Sequence, residues 1–192
     1  YTINSPFNCI IDPLAQTFTV DEESGIFITG VKLRFRSVAS DNTPVFVQIR
    51  PTVNGYPSSN DYVPGTHITK APAAITPSSD GTAITTFQFD EPAYLMGAGT
   101  EYAIVVISDS DEYEVYVAEA GKFILGSTER RVTRQPTLGS LFKSQNSRTW
   151  EPDQTKDLTF EIMRAEFQSQ GNLKVAPSTD IKRTLMVAAR YC

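Results

Sequence analysis

Apolar and polar residues alternate along several short stretches of this chain. Residues 31–36 alternate three apolar side chains with three cations, and residues 45–50 and 158–162 repeat the same period of two. Because successive side chains of a β-strand point to opposite faces, this alternation predicts half-buried strands. Residues 102–107 are apolar throughout and rich in β-branched side chains, which predicts a strand covered on both faces.

Turn-forming residues separate these stretches. Further strands are predicted at residues 16–20, 84–89 and 113–117 and near Tyr94, whereas segments with a helical period are nearly absent. Residues 153–164 could also be read as a helix, but their alternation favours a strand. Many short strands separated by Asp, Asn, Ser, Gly and Pro are typical of a sandwich or barrel. We predict an all-β fold, an antiparallel β-sandwich that is jelly-roll-like.

The apolar face of each predicted strand supplies the predicted core. A domain of this length buries roughly 70% of the surface of its unfolded chain, which is ample for a core without disulfides or metal. We expect nine residues to be largely buried: Leu33, Phe35, Val47, Ile49, Ile104, Val106, Val115, Phe160 and Ile162.

Composition divides the chain into three parts. Residues 1–15 are predicted to be an N-terminal linker, residues 16–167 a β-sandwich domain, and residues 168–192 a linker and a segment that joins a neighbouring domain or subunit. The chain starts without Met and ends just after the apolar run 185–189. An apolar strand needs another strand or subunit to cover it, so we expect a piece of a longer protein.

The composition excludes several kinds of chemistry. The 192 residues include a single histidine, His67, so a multi-histidine metal site is impossible, and no G-x-S-x-G motif is present to serve a Ser-His-Asp triad. The phosphate-binding motif G-x-x-x-x-G-K-[ST] is also missing. No cofactor is therefore predicted. Catalysis by a pair of carboxylates stays open, because the chain has 22 Asp and Glu residues.

Charge is unevenly distributed along the chain. Residues 1–126 carry 6 Lys and Arg against 15 Asp and Glu, a net charge of −9, and residues 127–192 carry 11 against 7, a net charge of +4. Nucleic-acid binding is not expected, because it depends on cations that neutralise phosphates, and a dipolar surface suits another protein better. The longest apolar stretch has six residues, whereas a membrane helix needs about 20, so no membrane insertion is expected.

An ordered series of short motifs resembles a known group of proteins. Residues 12–18 read DPLAQTF, residues 54–57 read NGYP and residues 141–146 read LFKSQN, followed by Thr149-Trp150. This order is similar to that in β-rich modules of the large structural proteins of tailed-bacteriophage virions, which open with DPLAQ[ST]F. The resemblance covers roughly residues 12–167.

The resemblance implies a part of a virion rather than an enzyme. Modules of this kind belong to tail, baseplate or fibre-associated proteins. The chain is therefore expected to be a non-catalytic structural module in the virion tail, assembled in the host cytoplasm. Its implied partners are other virion structural proteins, with the chain as part of a longer protein in a multi-copy assembly. The resemblance implies no catalytic residue.

An acidic loop is the first candidate site. Asp109, Asp111 and Glu112 lie between two predicted strands, and oxygen ligands at alternate positions can bind calcium, which takes six to eight oxygens. The alternative is a solvated turn whose side chains bond to the nearby main chain, since the spacing of a calcium-binding EF-hand loop is missing. The same carboxylates could serve glycoside hydrolysis if a second acid lay roughly 5–9 Å away.

Four aromatic residues near predicted turns or strand ends are the second candidate site. Tyr56, Tyr62, Tyr94 and Trp150 are candidates for contact with a glycan or a partner. The alternative is that they cap the core, with their polar tips bonded to the main chain. Trp150 is also a candidate interface anchor, because tryptophan is enriched at contact hot spots. Two other functions thus stay open beside the structural module, a carbohydrate-binding module that contacts the host surface and a glycan hydrolase.

Overall fold

The protein is built almost entirely of β-strands. The computed structural model describes residues 11–123, 128–133, 139–144, 146 and 148–167. In these residues the secondary structure is fourteen strands and one 3-10 turn at Pro72–Ala74. No helix in this part of the chain is long and apolar enough to cross a membrane. The strands are β1 (Ile11–Val20), β2 (Ile26–Leu33), β3 (Phe35–Ser37), β4 (Val45–Val53), β5 (Tyr56–Pro57), β6 (Ile68–Lys70), β7 (Thr85–Leu95), β8 (Thr100–Ser108), β9 (Glu114–Val115), β10 (Val117–Glu119), β11 (Leu141–Lys143), β12 (Glu151–Asp153), β13 (Lys156–Leu158) and β14 (Phe160–Arg164).

Two antiparallel sheets face each other across the core. The large sheet has seven strands in the order β12-β11-β1-β8-β4-β5, with β6 also paired to β4, and the small sheet has the order β14-β2-β7. The predicted antiparallel β-sandwich is confirmed. Strand β1 pairs with β8 and the following strand β2 pairs with β7, so a two-stranded ribbon passes from one sheet to the other. Ribbons of this kind give a sandwich its jelly-roll character.

The main core lies between the two sheets. Six of the nine predicted core residues are buried in it: Leu33, Phe35, Val47, Ile49, Ile104 and Val106. The prediction is wrong for Val115, Phe160 and Ile162, which are only half-buried against the core. The reason is their position, because β9 is a two-residue strand and β14 is the outer strand of the small sheet.

Each of three predicted strands consists of two shorter strands in the structure, because its main chain changes from one pairing strand to another at a single residue. The alternating runs that contain Arg34, Tyr116 and Thr159 are each interrupted at that residue. Strand β2 pairs with β14, β3 pairs with β9, and β10 pairs with β13. The amide of Tyr116 donates to the carbonyl of Arg34, and the amide of Thr159 donates to the carbonyl of Tyr116, both at 3.0 Å. Periodicity does not reveal the exchange, since the buried positions continue unbroken from Leu33 to Phe35.

Several strand boundaries also differ from the prediction, and β2 begins at Ile26 rather than at residue 31. Strand β1 begins at Ile11, inside the predicted linker, because its main chain pairs with β8 on one side and with β11 on the other. The strands predicted at residues 84–89 and near Tyr94 are the single strand β7. Residues 1–10 and 168–192, which hold the rest of the linker and the joining segment, lie outside the described residues.

The large sheet curls over its outer face into a half-barrel. The two-residue turn Asn54-Gly55 folds β5 back on β4, and both of its residues have the positive φ that such a hairpin turn requires, 54° and 79°. The ring of Tyr56 in β5 then packs on Phe142 in β11, with ring centroids 5.6 Å apart. Because β5 ends the strand order and β11 lies near its other end, this contact closes the curl.

The half-barrel encloses a second, smaller core on the outer face of the large sheet. Its buried members are Ala15, Ala103, Val105, Ile107, Phe142 and Trp150. The small side chains of Ala15 and Ala103 leave room for the two large rings. The large sheet is therefore covered on both faces, as the apolar run 102–107 in β8 predicts.

Candidate functional site

The structure separates the four predicted aromatic contact residues. Tyr56 and Trp150 line the same cleft at the open end of the half-barrel. Tyr62 lies in the loop between β5 and β6 and is exposed. Tyr94 lies on the small sheet, opposite Phe27 of β2. The candidate residues thus belong to two different surfaces.

Trp150 is a buried residue rather than an exposed stacking surface. Only 7% of it is exposed, and its ring is part of the second core. Its indole N–H is buried and has no hydrogen-bond acceptor among the residues that the structure describes. Buried donors without an acceptor are rare in native proteins, so this N–H needs an explanation.

Asn146 orders the turn that leads to Trp150. Its Oδ1 accepts hydrogen bonds from the amides of Arg148 at 2.9 Å and Thr149 at 2.8 Å, and its Nδ2 donates to Oγ1 of Thr149 at 2.7 Å. Asn favours such turns, because its side chain can take the place of a main-chain partner. Across the half-barrel, the hydroxyl of Ser59 donates to the carbonyl of Arg148 at 3.0 Å. The turn is therefore held from both sides.

Two clefts at the open end of the half-barrel share Thr149 and Trp150. The first cleft measures about 490 Å³ and is also lined by Leu14, Lys143, Asn146 and Glu151. The second cleft measures about 640 Å³ and is also lined by Tyr56, Asn60, Asp61 and Arg148. Both volumes lie in the range of about 300–1,000 Å³ that is usual for small-molecule sites.

Each cleft contains both signs of charge. Lys143 and Glu151 line the first cleft, and Arg148 and Asp61 line the second. Neither cleft therefore has the one-signed lining that concentrates ions of opposite charge. Polar side chains between these charges, such as the amide of Asn60, add hydrogen-bonding groups that both donate and accept.

A carboxylate beside the first cleft is held in its ionised form. The pKa of Asp153 is lowered to about 2, first by the hydrogen bond from the Thr155 side chain and next by the hydrogen bond from Lys143. The Thr155 hydroxyl lies 2.7 Å from Oδ1 of Asp153, and Nζ of Lys143 lies 3.1 Å from Oδ2. Asp153 thus fixes the end of the Lys143 side chain at the rim of the cleft.

A buried cation supports the second cleft from below. Arg50 is only 8% exposed, and burial lowers the pKa of its guanidinium, although arginine stays protonated in proteins. Its Nη1 donates to the carbonyl of Ser58 at 3.0 Å and its Nε donates to Oε1 of Gln48 at 3.1 Å. Nε2 of Gln48 in turn donates to Nδ1 of His67 at 2.8 Å. The single histidine therefore belongs to a structural network.

An aromatic patch lies on the outer face of the small sheet. It consists of Phe27, Tyr94 and Phe167, which are 39%, 48% and 70% exposed. The ring centroid of Phe27 lies 5.0 Å from that of Tyr94 and 5.1 Å from that of Phe167. The hydroxyl of Tyr94 donates to the carbonyl of Ser24 at 2.8 Å, which fixes the ring against the sheet.

The acidic loop does not bring its carboxylates together. Asp109, Asp111 and Glu112 are exposed, and no group of three or more His, Cys, Asp or Glu that could hold a metal occurs in the described part of the chain. The carboxylate of Glu112 instead accepts hydrogen bonds from the amide and the hydroxyl of Ser40. These hydrogen bonds match the alternative of a turn bonded to nearby groups.

A buried carboxyl group that the sequence did not single out lies between the sheets. Asp157 is 1% exposed, and its Oδ1 accepts a hydrogen bond of 3.3 Å from Nε2 of Gln16. Its Oδ2 has no hydrogen-bond partner among the described residues. Burial raises the pKa of Asp157, and the Gln16 hydrogen bond opposes that effect only in part. Oε1 of the same Gln16 accepts the amide of Leu158 at 2.8 Å, which makes this pair a structural link between β1 and β13.

Sequence reasoning missed the polar lining of the clefts. Asn60, Asp61, Asn146 and Arg148 come from two loops far apart in the chain, and no spacing connects them. A signal was present only at Asn146 and Trp150, which both lie in motifs of the resemblance to phage modules.

Comparison with known proteins adds no further constraint. No protein-family model matches the chain, and no curated protein or solved structure is significantly similar to it. The function is therefore argued from the sequence and the geometry above.

Proposed function

We propose that this chain is a non-catalytic structural module of a bacteriophage tail or baseplate protein. It would contribute to virion assembly by contacting neighbouring structural subunits or a fibre. The observation that carries the proposal is the aromatic patch of Phe27, Tyr94 and Phe167, three exposed rings of which the central one, Phe27, contacts both of the others. Exposed apolar patches mark interaction sites, and aromatic residues dominate the energetics of such sites.

The surroundings of the patch support a protein partner. On the same outer face, Glu161 forms ion pairs with Lys32 at 3.2 Å and with Arg34 at 2.8 Å. An apolar centre next to a polar, charged rim is the usual construction of a protein–protein interface. Phe27 and Tyr94 lie on paired strands, so these two rings are presented without the entropy cost of ordering a loop.

The resemblance to virion proteins supports the same proposal. Residues 12–18 lie in β1, residues 54–57 form the β4–β5 turn, and the motif that begins at residue 141 opens with β11. All three belong to the half-barrel, which is consistent with a shared framework. No observation favours the glycan hydrolase, and the carbohydrate-binding alternative depends on the clefts beside Trp150, which lie on the other sheet.

The proposal is tested in the phage whose genome encodes the chain. Mass spectrometry of purified virions should detect its peptides. The double variant Phe27→Ser, Tyr94→Ser should fold, by circular dichroism and thermal midpoint, but should give incomplete tails. The matched control Tyr62→Ser removes an equally exposed tyrosine from the loop between β5 and β6 and should assemble normally. Virions without the chain, or normal tails from the folded double variant, would refute the proposal.

A further inference from the structure

We propose that the two clefts beside Trp150 form one binding site for an uncharged oligosaccharide. The site concerns the large sheet only, so it does not depend on the partner proposed for the aromatic patch. Because the clefts share Thr149 and Trp150, they lie side by side, and one ligand can occupy both. Each cleft alone has the volume of a usual small-molecule site, about 490 and 640 Å³, so a ligand that fills both is larger than a single sugar unit.

The charges of the clefts disfavour an anionic ligand. Among the described lining residues, each cleft holds one cation and one anion, Lys143 with Glu151 and Arg148 with Asp61. Lys143 is already paired with Asp153, so its charge does not compensate Glu151. A phosphate or a carboxylate would therefore meet repulsion in the first cleft, whereas sugar hydroxyls can donate to the anions and accept from the cations.

The exposed ring of Tyr56 supplies the apolar surface that a sugar needs. Tyr56 is 46% exposed and lines the second cleft, and its ring is braced by Phe142 at an interplanar angle of 59°. Because the contact with Phe142 holds the ring of Tyr56 in place, little side-chain entropy is lost when a ligand binds to its apolar face. The Tyr56 hydroxyl lies at the edge of the same ring. The C–H faces of a pyranose are a suitable partner for such a surface.

The unsatisfied indole N–H of Trp150 is the second, independent observation. The N–H can only donate, it is buried, and no acceptor lies near it in the described residues. Trp150 is the one indole that lines both clefts. In the proposed complex, a hydroxyl oxygen of the bound sugar supplies the missing acceptor.

The edges of the sheet argue against a peptide in the same place. Extended peptides bind by adding a strand to an exposed sheet edge. The edge strands next to the clefts are β12 and β5, and they contain Pro152 and Pro57. Proline has no amide N–H and interrupts the ladder of main-chain hydrogen bonds that an added strand requires.

Trp150 is the single tryptophan of the chain, so its fluorescence reports directly on the site. The probes are hexamers of α-1,4-glucose, β-1,4-glucose and β-1,4-N-acetylglucosamine and uncharged O-antigen fragments, with hexagalacturonate as the charged comparison. We expect a saturable change in Trp150 emission with at least one uncharged probe, with a dissociation constant below about 1 mM. No saturable change with any uncharged probe, or tighter binding of hexagalacturonate, would overturn the proposal.

Two tyrosines of nearly equal exposure provide a matched pair of variants. Tyr56→Ala should weaken binding of the positive probe at least about tenfold, which corresponds to about 1.4 kcal/mol. Tyr94→Ala, on the other sheet, should leave the affinity unchanged. Tyr56→Phe keeps the ring and should bind, which shows that the ring and not the hydroxyl is required, and the thermal midpoint of Tyr56→Ala shows whether that variant stays folded. Equal affinity of Tyr56→Ala and the unchanged protein, or loss of binding in Tyr94→Ala, would place the sugar elsewhere and overturn the assignment.

Discussion

The outer faces of the two sheets differ in curvature, and this difference decides what each can bind. The large sheet curls until Tyr56 meets Phe142, which buries Trp150 and leaves two concave clefts at the open end. Among the described residues, the small sheet has three strands and no second layer of this kind, and Phe27 and Tyr94 are exposed as a patch. Aromatic residues thus become core on one sheet and surface on the other.

The comparison also separates the two proposed activities. A concave site lined by amides, hydroxyls and paired charges suits a polar small molecule, whereas an exposed aromatic patch with a charged rim suits a protein. Substitutions on one face should therefore leave the other unchanged, because the main core lies between them.

The largest expected effect is at Trp150. Trp150→Ala should lower the free energy of unfolding by about 3–5 kcal/mol, because it leaves a cavity in the second core. Tyr94→Ala should cost less than about 1.5 kcal/mol, because that ring is half-exposed and loses mainly its contact with Phe27. Denaturant unfolding followed by circular dichroism measures both. Equal losses of unfolding free energy in the two variants would contradict the difference in burial between Trp150 and Tyr94.

The second-largest expected effect is the pH dependence of stability that is caused by Asp157, which is buried between the sheets. Because burial raises the pKa of Asp157 above its ordinary value of 3.8, the stability that this group contributes is complete below that value. It is lost as the pH rises through the raised pKa of the folded state. Asp157→Asn should therefore match the unchanged protein in acid and exceed it at neutral pH by about 1–3 kcal/mol.

Unfolding curves at several pH values measure this difference. The exposed acid Asp109 gives the matched control, and Asp109→Asn should leave the pH dependence as it was. A constant offset between Asp157→Asn and the unchanged protein across the pH range would contradict the buried, raised-pKa carboxyl.

The third effect is confined to the clefts. Asn146→Ala removes the hydrogen bonds that order the turn before Trp150, and should cost about 1–2 kcal/mol. Amide hydrogen exchange should become faster at Arg148 and Thr149 and stay unchanged in β2. Asn60→Ala, in the loop opposite, serves as the comparison. Faster exchange in β2 would mean that the two faces are coupled.

The smallest effect is at the rim of the first cleft. The Thr155 side chain is the largest cause of the low pKa of Asp153, so Thr155→Val should raise that pKa from about 2 towards its ordinary value. In the unchanged protein the stability from this group is lost as the pH falls through about 2, and the variant should lose it at higher pH. An NMR titration of Asp153 measures the shift, and a midpoint that stays at about 2 would assign the effect to Lys143 instead. The stability at neutral pH should change by less than about 1 kcal/mol, because the pair is exposed.

The sequence identified the aromatic residues of the candidate site but not the polar and charged residues that surround them. Tyr56 and Tyr94 are exposed as contact residues should be, whereas Trp150 is buried. The neighbours that give the clefts their chemistry, Asp61 and Arg148, are joined only because the curl brings two loops together, as the bond between Ser59 and Arg148 records. In the acidic loop, Glu112 bonds to Ser40 from a distant part of the chain, a contact that proximity in sequence does not predict.

Local sequence was enough for the longer strands and for six core residues from Leu33 to Val106, since alternation depends on residues close together in the chain. The short strands β5, β6, β11 and β12 were not predicted. The exchange of partners at Arg34, Tyr116 and Thr159, the burial of Asp157 against Gln16 and the closure of the half-barrel depend on contacts between residues far apart in the chain. Such contacts form only when whole sheets pack, because packing selects which of several equally periodic strands become neighbours. The tertiary structure therefore decided where the clefts and the aromatic patch lie.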